Sequence, residues 1–365
     1  MARLGYLKTR NMRLRKPRTV RLALVIASMV VPACSGGSDT APSSSATPTS
    51  VMTQPPVVVT CDEATGLFEV DAVWTAEDHP CGAWLDAAIG RAIRGSTGSA
   101  TLWTRRTPHG TALVVGAVHT LGEGWFGPAG SDIDEALMDP GGQVGIPRLH
   151  LMLADGTGPD TLASPLFMLY RPAIAAERTG NRMQDVLPRE DFYVGVADAQ
   201  KIAMEGPVAT PKPIVLGPLE LLDPAGSTTA TETWAEPASG DLVMMLGFPH
   251  ETGRLTGSVG RLLGDDEAAA AVAMLAEIGD SEGEVPFEAD VELMVQGAAI
   301  AGMSGGPVVD TTGRLVGVLV RASDEHDGVQ YVRAVRMSHV VDRLGELFAG
   351  LAEGDRVAIA EYLER

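Results

Sequence analysis

The sequence predicts an all-β fold, an antiparallel barrel or sandwich, on three observations. Short apolar segments of β type succeed one another from Gly98 onward. Gly, Pro and Asp punctuate them, with 42 Gly and 24 Pro in a chain of 365 residues. Aromatic residues make up only 5%, so the core falls to Val, Leu, Ala and Met. The length admits one large domain or two modest ones, and no internal repeat of fixed period is present.

The front of the chain has a different character. Residues 1–21 are basic and Leu22–Val31 is an apolar run, the length of a signal-peptide core and too short to span a bilayer. Met12 offers a second start, since residues 12–34 alone make a complete signal. The run ends in Val31-Pro32-Ala33-Cys34, which resembles the bacterial lipobox, where the cysteine is acylated and becomes the mature N-terminus. An ordinary signal peptide with an incidental Cys34 is the other reading. The expected plan is a signal over 1–33, a Ser/Thr/Pro-rich tether over 34–60, a globular domain over 61–351 and a helical tail over 352–365. This places the protein in a bacterial cell envelope, in the periplasm or at the surface, held to a membrane by an N-terminal lipid.

Charge and cysteines narrow the partners. The formal net charge is -19; residues 1–33 carry eight of the 28 Lys and Arg and no acid, so their removal leaves -27. Such a surface repels nucleic acid and anionic headgroups. With Cys34 acylated, Cys61 and Cys81 remain, and an exported compartment permits a disulfide between them; reduced structural thiols are the alternative. No CxxC and no His/Cys cluster with ligand spacing occurs, so neither metal nor cofactor is expected.

The elements follow in order. Cys81–Gly95 has helical spacing through Trp84, Ala88, Ile89 and Ile93. "SATLWTRR", a "PHG" turn and "TALVVGAVHTL" form a hairpin. Strand-like segments follow at Arg148–Asp155, Ser164–Arg171, Asp191–Asp198, Asp241–Pro249, Val291–Gln296, Arg314–Ala322 and Val329–Val335. Asp265–Gly279 reads as a helix with acids at its start, where the dipole favours them. Ser338–Leu351 reads as an amphipathic helix with Ser338 as cap and Val341, Leu344, Leu347 and Phe348 on one face.

Three places carry chemistry. Ser304 stands in Gly302-Met303-Ser304-Gly305-Gly306-Pro307, where the glycines let backbone approach a substrate and adopt positive φ. The N–H groups of Gly302 and Ser304 are the candidate donors to an oxyanion. His119 ends the apolar run "ALVVGAVHT", a rigid platform for a base. Asp191 opens "DFYVGV", where an imidazole N–H is one of few ways to satisfy a carboxylate entering a buried strand. A strand-start cap is the plain alternative for Asp191, with Asp185 and Asp198 nearby.

"GAVHT", "DFYVGV" and "GMSGGPVV" resemble the His, Asp and Ser blocks of the chymotrypsin/trypsin-like serine peptidases, in that family's chain order. "GRLVGVLV" after the serine and "MMLGFPHETGRLTGSVG" before it add to the resemblance, which covers about Gly98 to Leu351. It implies two six-stranded antiparallel barrels with the triad His119, Asp191 and Ser304 between them and a C-terminal helix; residues 125–190 are long for the family and read as an insertion, and the Asp265–Gly279 helix reads as another. It implies hydrolysis of protein or peptide substrates through an acyl-enzyme, with an inactive binding protein on the same fold as the alternative. Digestive members carry an acid before the nucleophile; here Met303 occupies that place, as in bacterial members that need no pairing with a cut N-terminus. The resemblance puts the base of the primary pocket at Ala298, with Val320, Ala322 and Gly328 around it and Arg321 at the rim. No acid there means no preference for Arg or Lys before the cut, and a small-to-medium uncharged residue is expected instead.

Overall fold

The computed structural model describes residues 61, 66–70, 81, 84–85, 88, 91–94, 98–105, 111–121, 148–150, 163–165, 167–174, 186–198 and 233–354. All lie in the unit Val57–Arg365. The expected signal segment, lipobox cysteine and tether, most of the expected helical tail and much of the expected 125–190 insertion lie outside them.

The first half gives β1 (Phe68–Glu69), β2 (Ala92–Arg94), β3 (Ser99–Arg105), β4 (Thr111–Gly116), β5 (Arg148–His150), β6 (Ala163–Pro165), β7 (Phe167–Tyr170) and β8 (Tyr193–Asp198). Strands β2-β3-β4-β8-β7 form a five-stranded antiparallel sheet, and β5 pairs with β6. The second half gives β9 (Leu242–Gly247), β10 (Thr256–Leu262), β11 (Glu292–Gln296), β12 (Pro307–Val309), β13 (Leu315–Ala322) and β14 (Tyr331–Arg336). These six close on themselves in the order β10-β11-β14-β13-β12-β9, with β9 paired back to β10 and β1 added at β10. Closure removes the unpaired edges of an open sheet.

The near-continuous apolar runs of β9 and β13 follow from burial on both faces. Val243 and Met245 join a cluster drawn from the closed barrel and the loop beside it, with Leu262, Val295, Val308 and Leu319. Met244 and Leu246 point the other way, into a core shared with Trp103 and Val115 of the first sheet and with Phe192, just before β8. That shared core seats the two sheets against each other.

Two helices are described. α1 (Asp265–Ile278) starts where the Glu267 carboxylate accepts the Gly264 N–H at 3.1 Å, and stops at Gly279, whose φ of 77° no β-branched residue adopts cheaply. A 3₁₀ turn, Ser281–Glu284, follows, with Asp280 accepting the Glu282 N–H at 2.8 Å. α2 (Met337–Gly350) buries Val340, Val341, Leu344 and Phe348 in the shared core, with Leu347 packed at its margin. Arg336, not Ser338, holds the cap position, and no side chain caps this helix; its apolar face supplies what the missing cap does not.

The expected helix over Cys81–Gly95 is shorter than its spacing indicates. Trp84, Leu85 and Ala88 are helical, but Ala92–Arg94 pairs with Ser99–Thr101 as β2, where Ile93 is fully buried. Cys61 and Cys81 lie with their Cα atoms 5.3 Å apart, the separation of a disulfide pair.

Candidate active site

The imidazole comes from the end of the β4 run. The strand itself stops at Gly116, and His119 sits one step on, in a 3₁₀ turn spanning Val118–Leu121. The turn is tied by the Thr120 hydroxyl, which donates to the Ala117 carbonyl at 2.7 Å. Gly116 pairs across the sheet with Tyr193, whose ring occupies the space a Cβ at Gly116 would need. Small size here lets the buried tyrosine pack under the turn that carries His119.

Asp191 follows a 3₁₀ turn, Pro188–Glu190, and precedes β8. It is 1% exposed, and both its oxygens are used by one residue: Oδ1 accepts the His119 backbone N–H at 3.0 Å and Oδ2 lies 2.6 Å from His119 Nδ1. An ionised carboxylate only accepts, so Nδ1 carries the proton and Nε2 is left as the basic nitrogen. Burial pulls the His119 pKa down, but the charge and hydrogen bond of Asp191 outweigh it, and the group titrates above the ordinary histidine value despite the opposing charge of Arg321. Asp198 stands at the far end of β8, opposite Thr111, and Asp185 lies outside the described residues. Other histidines have other settings: His326 pairs with Asp280 at 2.8 Å, and His339 packs edge-on against Phe192 with burial lowering its pKa.

On the opposite side, the loop bearing Ser304 is fixed peptide by peptide. The Ala301 carbonyl accepts the His250 N–H at 3.0 Å and the Met303 carbonyl accepts the Gly306 N–H at 2.9 Å. In a planar trans peptide the N–H points opposite to its C=O. Those two bonds therefore aim the N–H groups of Gly302 and Ser304 away from the protein frame, and neither has a hydrogen-bond partner among the described residues. Gly302 has φ of 100°, and a Cβ there would run into the Phe248 carbonyl and the His250 N–H. Gly305, at φ 85°, is held tight against the Ser99 carbonyl.

His119, Asp191 and Ser304 line one cleft of ≈ 930 Å³. Its walls include Ala299, Met303, Leu319, Val320, Ala322 and Val332, and on another side the turn after α1, through Glu282, Glu284 and Val285. Ser304 Oγ makes no hydrogen bond among the described residues, so the serine and His119 Nε2 share the cleft without being joined. Of the expected pocket residues, Val320 and Ala322 line this cleft; Ala298 and Gly328 do not. The Ala298 carbonyl instead accepts the Ser258 hydroxyl at 2.6 Å. Arg321 is held inward: its Nε lies 2.9 Å from both Glu282 oxygens and its NH1 donates to the Val186 carbonyl at 3.0 Å.

Three contributors lack any signal in the sequence. Gln330 lines the cleft and exchanges hydrogen bonds with both polar groups of Ala299. Glu282 comes from the segment after the inserted helix. A buried ion pair, Arg333 with both oxygens of Glu292, stiffens that segment, since Arg333 also donates to the Val285 and Pro286 carbonyls. Every charge in it is hydrogen-bonded, the condition under which a buried pair is tolerated. Among the described residues no three His, Cys, Asp or Glu side chains gather as metal ligands.

A closed antiparallel barrel packed on a second antiparallel sheet, with a helix after the last strand, is the chymotrypsin-like serine peptidase fold. No protein-family model and no curated protein matches the chain. Among solved structures it is similar to an inactive form of Rv3671c from M. tuberculosis H37Rv, at 12% identity and TM-score 0.38, over 74% of this chain and 92% of that one. It is also similar to the HtrA-type protease AlgW with a decapeptide, at 12% identity and TM-score 0.40, over 74% and 68%. A serine endoprotease from Yersinia pestis aligns at 12% identity and TM-score 0.35, over 74% and 67%.

Proposed function

We propose that this chain is a serine endopeptidase that hydrolyses peptide bonds in protein substrates through an acyl-enzyme. Ser304 Oγ attacks the scissile carbonyl. His119 Nε2 takes its proton and later delivers it to the leaving amine, while Asp191 holds the tautomer and stabilises the imidazolium. The N–H groups of Gly302 and Ser304 receive the oxyanion. The observation that carries this reading is the His119–Asp191 pair, at 2.6 Å, facing a cleft that Ser304 also lines. The absence of a Ser304–His119 hydrogen bond is compatible with this reading, since catalytic hydrogen bonds are often long before substrate binds.

The second reading, a binding protein on this fold that does not cut, is favoured by one observation: the Ser304–His119 hydrogen bond is not formed. One experiment decides between them. The full-length protein is treated with a fluorophosphonate and tested on casein, beside Ser304→Ala and His119→Ala. The peptidase reading expects labelling and cleavage that both variants lose; a folded wild-type protein that does neither supports the binding protein. We further propose export through residues 1–33, acylation at Cys34 and tethering over 34–60 in a bacterial cell envelope. Cys34→Ser should move the protein from the membrane to the soluble fraction, and mass spectrometry of the mature N-terminus should find lipid on Cys34.

A further inference from the structure

The first sheet reaches across the cleft and grips the Ser304 loop by its carbonyls. Ser99, the first residue of β3, is 2% exposed and makes three bonds there. Its N–H donates to the Ser304 carbonyl at 2.8 Å. Its hydroxyl donates to the Gly302 carbonyl at 2.7 Å and accepts the Phe248 N–H at 2.8 Å. Two residues on, the Thr101 hydroxyl donates to the Gly305 carbonyl at 2.9 Å. The peptides flanking Gly302 and Ser304 are held by the loop's own surroundings, through His250 and Gly306. The Gly302–Met303 peptide between them is different: its N–H is bonded to the Ile300 carbonyl at 3.1 Å, and its carbonyl is held by a side chain from the other sheet.

We propose that Ser99 is a positioning residue for the oxyanion hole, a role that rests on the peptidase reading above. Gly302 sits at a positive φ that glycine adopts freely, and glycine leaves it as freely. With the Ser99 hydroxyl gone, the Gly302 carbonyl and the Phe248 N–H are both left buried without a partner. A shift of Gly302 toward a new partner for its carbonyl relieves this, and it drags the adjoining Ala301–Gly302 peptide, taking the Gly302 N–H out of line with the Ser304 N–H. The hole then keeps one donor aimed and loses the other. Ser99 touches neither substrate nor reacting atoms; it acts through Gly302.

The test compares full-length wild type, Ser99→Ala, Ser99→Thr and Thr101→Val. Readouts are casein turnover, the second-order rate of fluorophosphonate labelling, the pH profile and the thermal midpoint. Ser99→Ala should lose roughly 10²-fold in both rates, the scale of a reacting group displaced by about an ångström, with KM little changed. Its acid limb should stay where wild type has it, because His119 and Asp191 lie on the other wall. Ser99→Thr, which keeps the hydroxyl, should recover most of the rate. Thr101→Val removes a bond of the same kind from the Gly305 carbonyl and controls for general loosening between the sheets. The inference is overturned if Ser99→Ala matches wild type, if its loss equals that of Thr101→Val at matched stability, or if its acid limb moves with the rate. A wild type that neither cuts nor labels overturns the peptidase reading itself, and the inference with it.

Discussion

The two walls of the cleft are held by different forces. On the His119 wall one carboxylate spends both oxygens on a single residue, so placement and protonation are set together by a side-chain charge. On the Ser304 wall no charge takes part. Backbone carbonyls are pinned one after another by N–H groups and hydroxyls, and glycines at φ 100° and 85° make the path possible. The first wall therefore answers to pH and to isosteric changes of charge, the second to changes of volume and of backbone freedom.

Asp191→Asn tests the first wall and should have the largest effect, a loss of roughly 10⁴ in kcat. Its pH profile gives the sign. Catalysis needs neutral His119, and Asp191 favours the charged form, raising its pKa above the ordinary value of 6.5. Activity in wild type should thus fall as pH drops through a midpoint above 6.5, and asparagine should move that midpoint down. Stability runs the other way: the pair's contribution is complete below the unfolded histidine pKa and is lost as pH rises through the raised one. Equal acid limbs in the two proteins would remove His119 from the base's role.

Gly302→Ala tests the second wall. A Cβ at φ 100° meets the Phe248 carbonyl and the His250 N–H, so the loop has to shift. One misplaced donor should cost roughly 10²–10³ in kcat with KM little altered. The acid limb should not move. If it does, the walls are not independent, and the contrast drawn between them fails.

Legibility in the sequence divides along the same line. Ser304 and its glycines, His119 after an apolar run and Asp191 before one are local patterns, and the three residues line one cleft. Four strands of the closed barrel, β9, β11, β13 and β14, were legible because both faces are buried, which leaves apolar runs bounded by turns. β12 and β10 were not: Pro307–Val309 is only three residues long, and Thr256–Leu262 is broken by Gly257 and Gly260, which lie too close to Phe68 and Val295 to carry a side chain. What no local pattern carries is contact across the chain. Ser99 lies 203 residues from Gly302, and a serine opening a strand gives no hint of the carbonyl it will bond. Gln330 is likewise ordinary until Ala299 is seen beside it. The 265–279 segment reads as a helical insertion, but only the fold shows that the turn following it forms a side of the cleft.

The pair Cys61 and Cys81 sits far from this contrast and should affect stability alone. A disulfide closing a loop of sequence separation 20 is worth about 3 kcal/mol in the chain-entropy account. Cys61→Ser should lower the denaturation midpoint accordingly while turnover per folded molecule holds. Reductant should shift wild type by the same amount and leave the variant untouched; a wild type indifferent to reductant would mean free thiols.

The smallest effect concerns which residue precedes the cut. The cleft beside Ser304 is lined by Ala299, Met303, Val320, Ala322 and Val332, with Gln330 among them. A glutamine amide there is a possible handle for a polar side chain, but its donors are spent: Nε2 donates to the Ala299 and Ser323 carbonyls at 2.9 and 2.8 Å, and Oε1 accepts the Ala299 N–H at 3.0 Å. A charged side chain entering between these apolar residues is desolvated with no partner among them. Glu282 offers nothing to a basic residue, because both its oxygens are held by Arg321. A small-to-medium apolar residue before the cut is therefore expected, with a broad preference, since one methylene changes transition-state binding by only about 1–3 kcal/mol. Profiling a peptide library with the full-length protein measures this directly. Gln330→Ala should release the Ala299 peptide and admit larger side chains, widening the profile toward Phe and Tyr. Strong cleavage after Arg or Lys would show that Glu284 or Asp324, both on the cleft wall, reaches the substrate side chain. The amide would then not be what shapes the pocket.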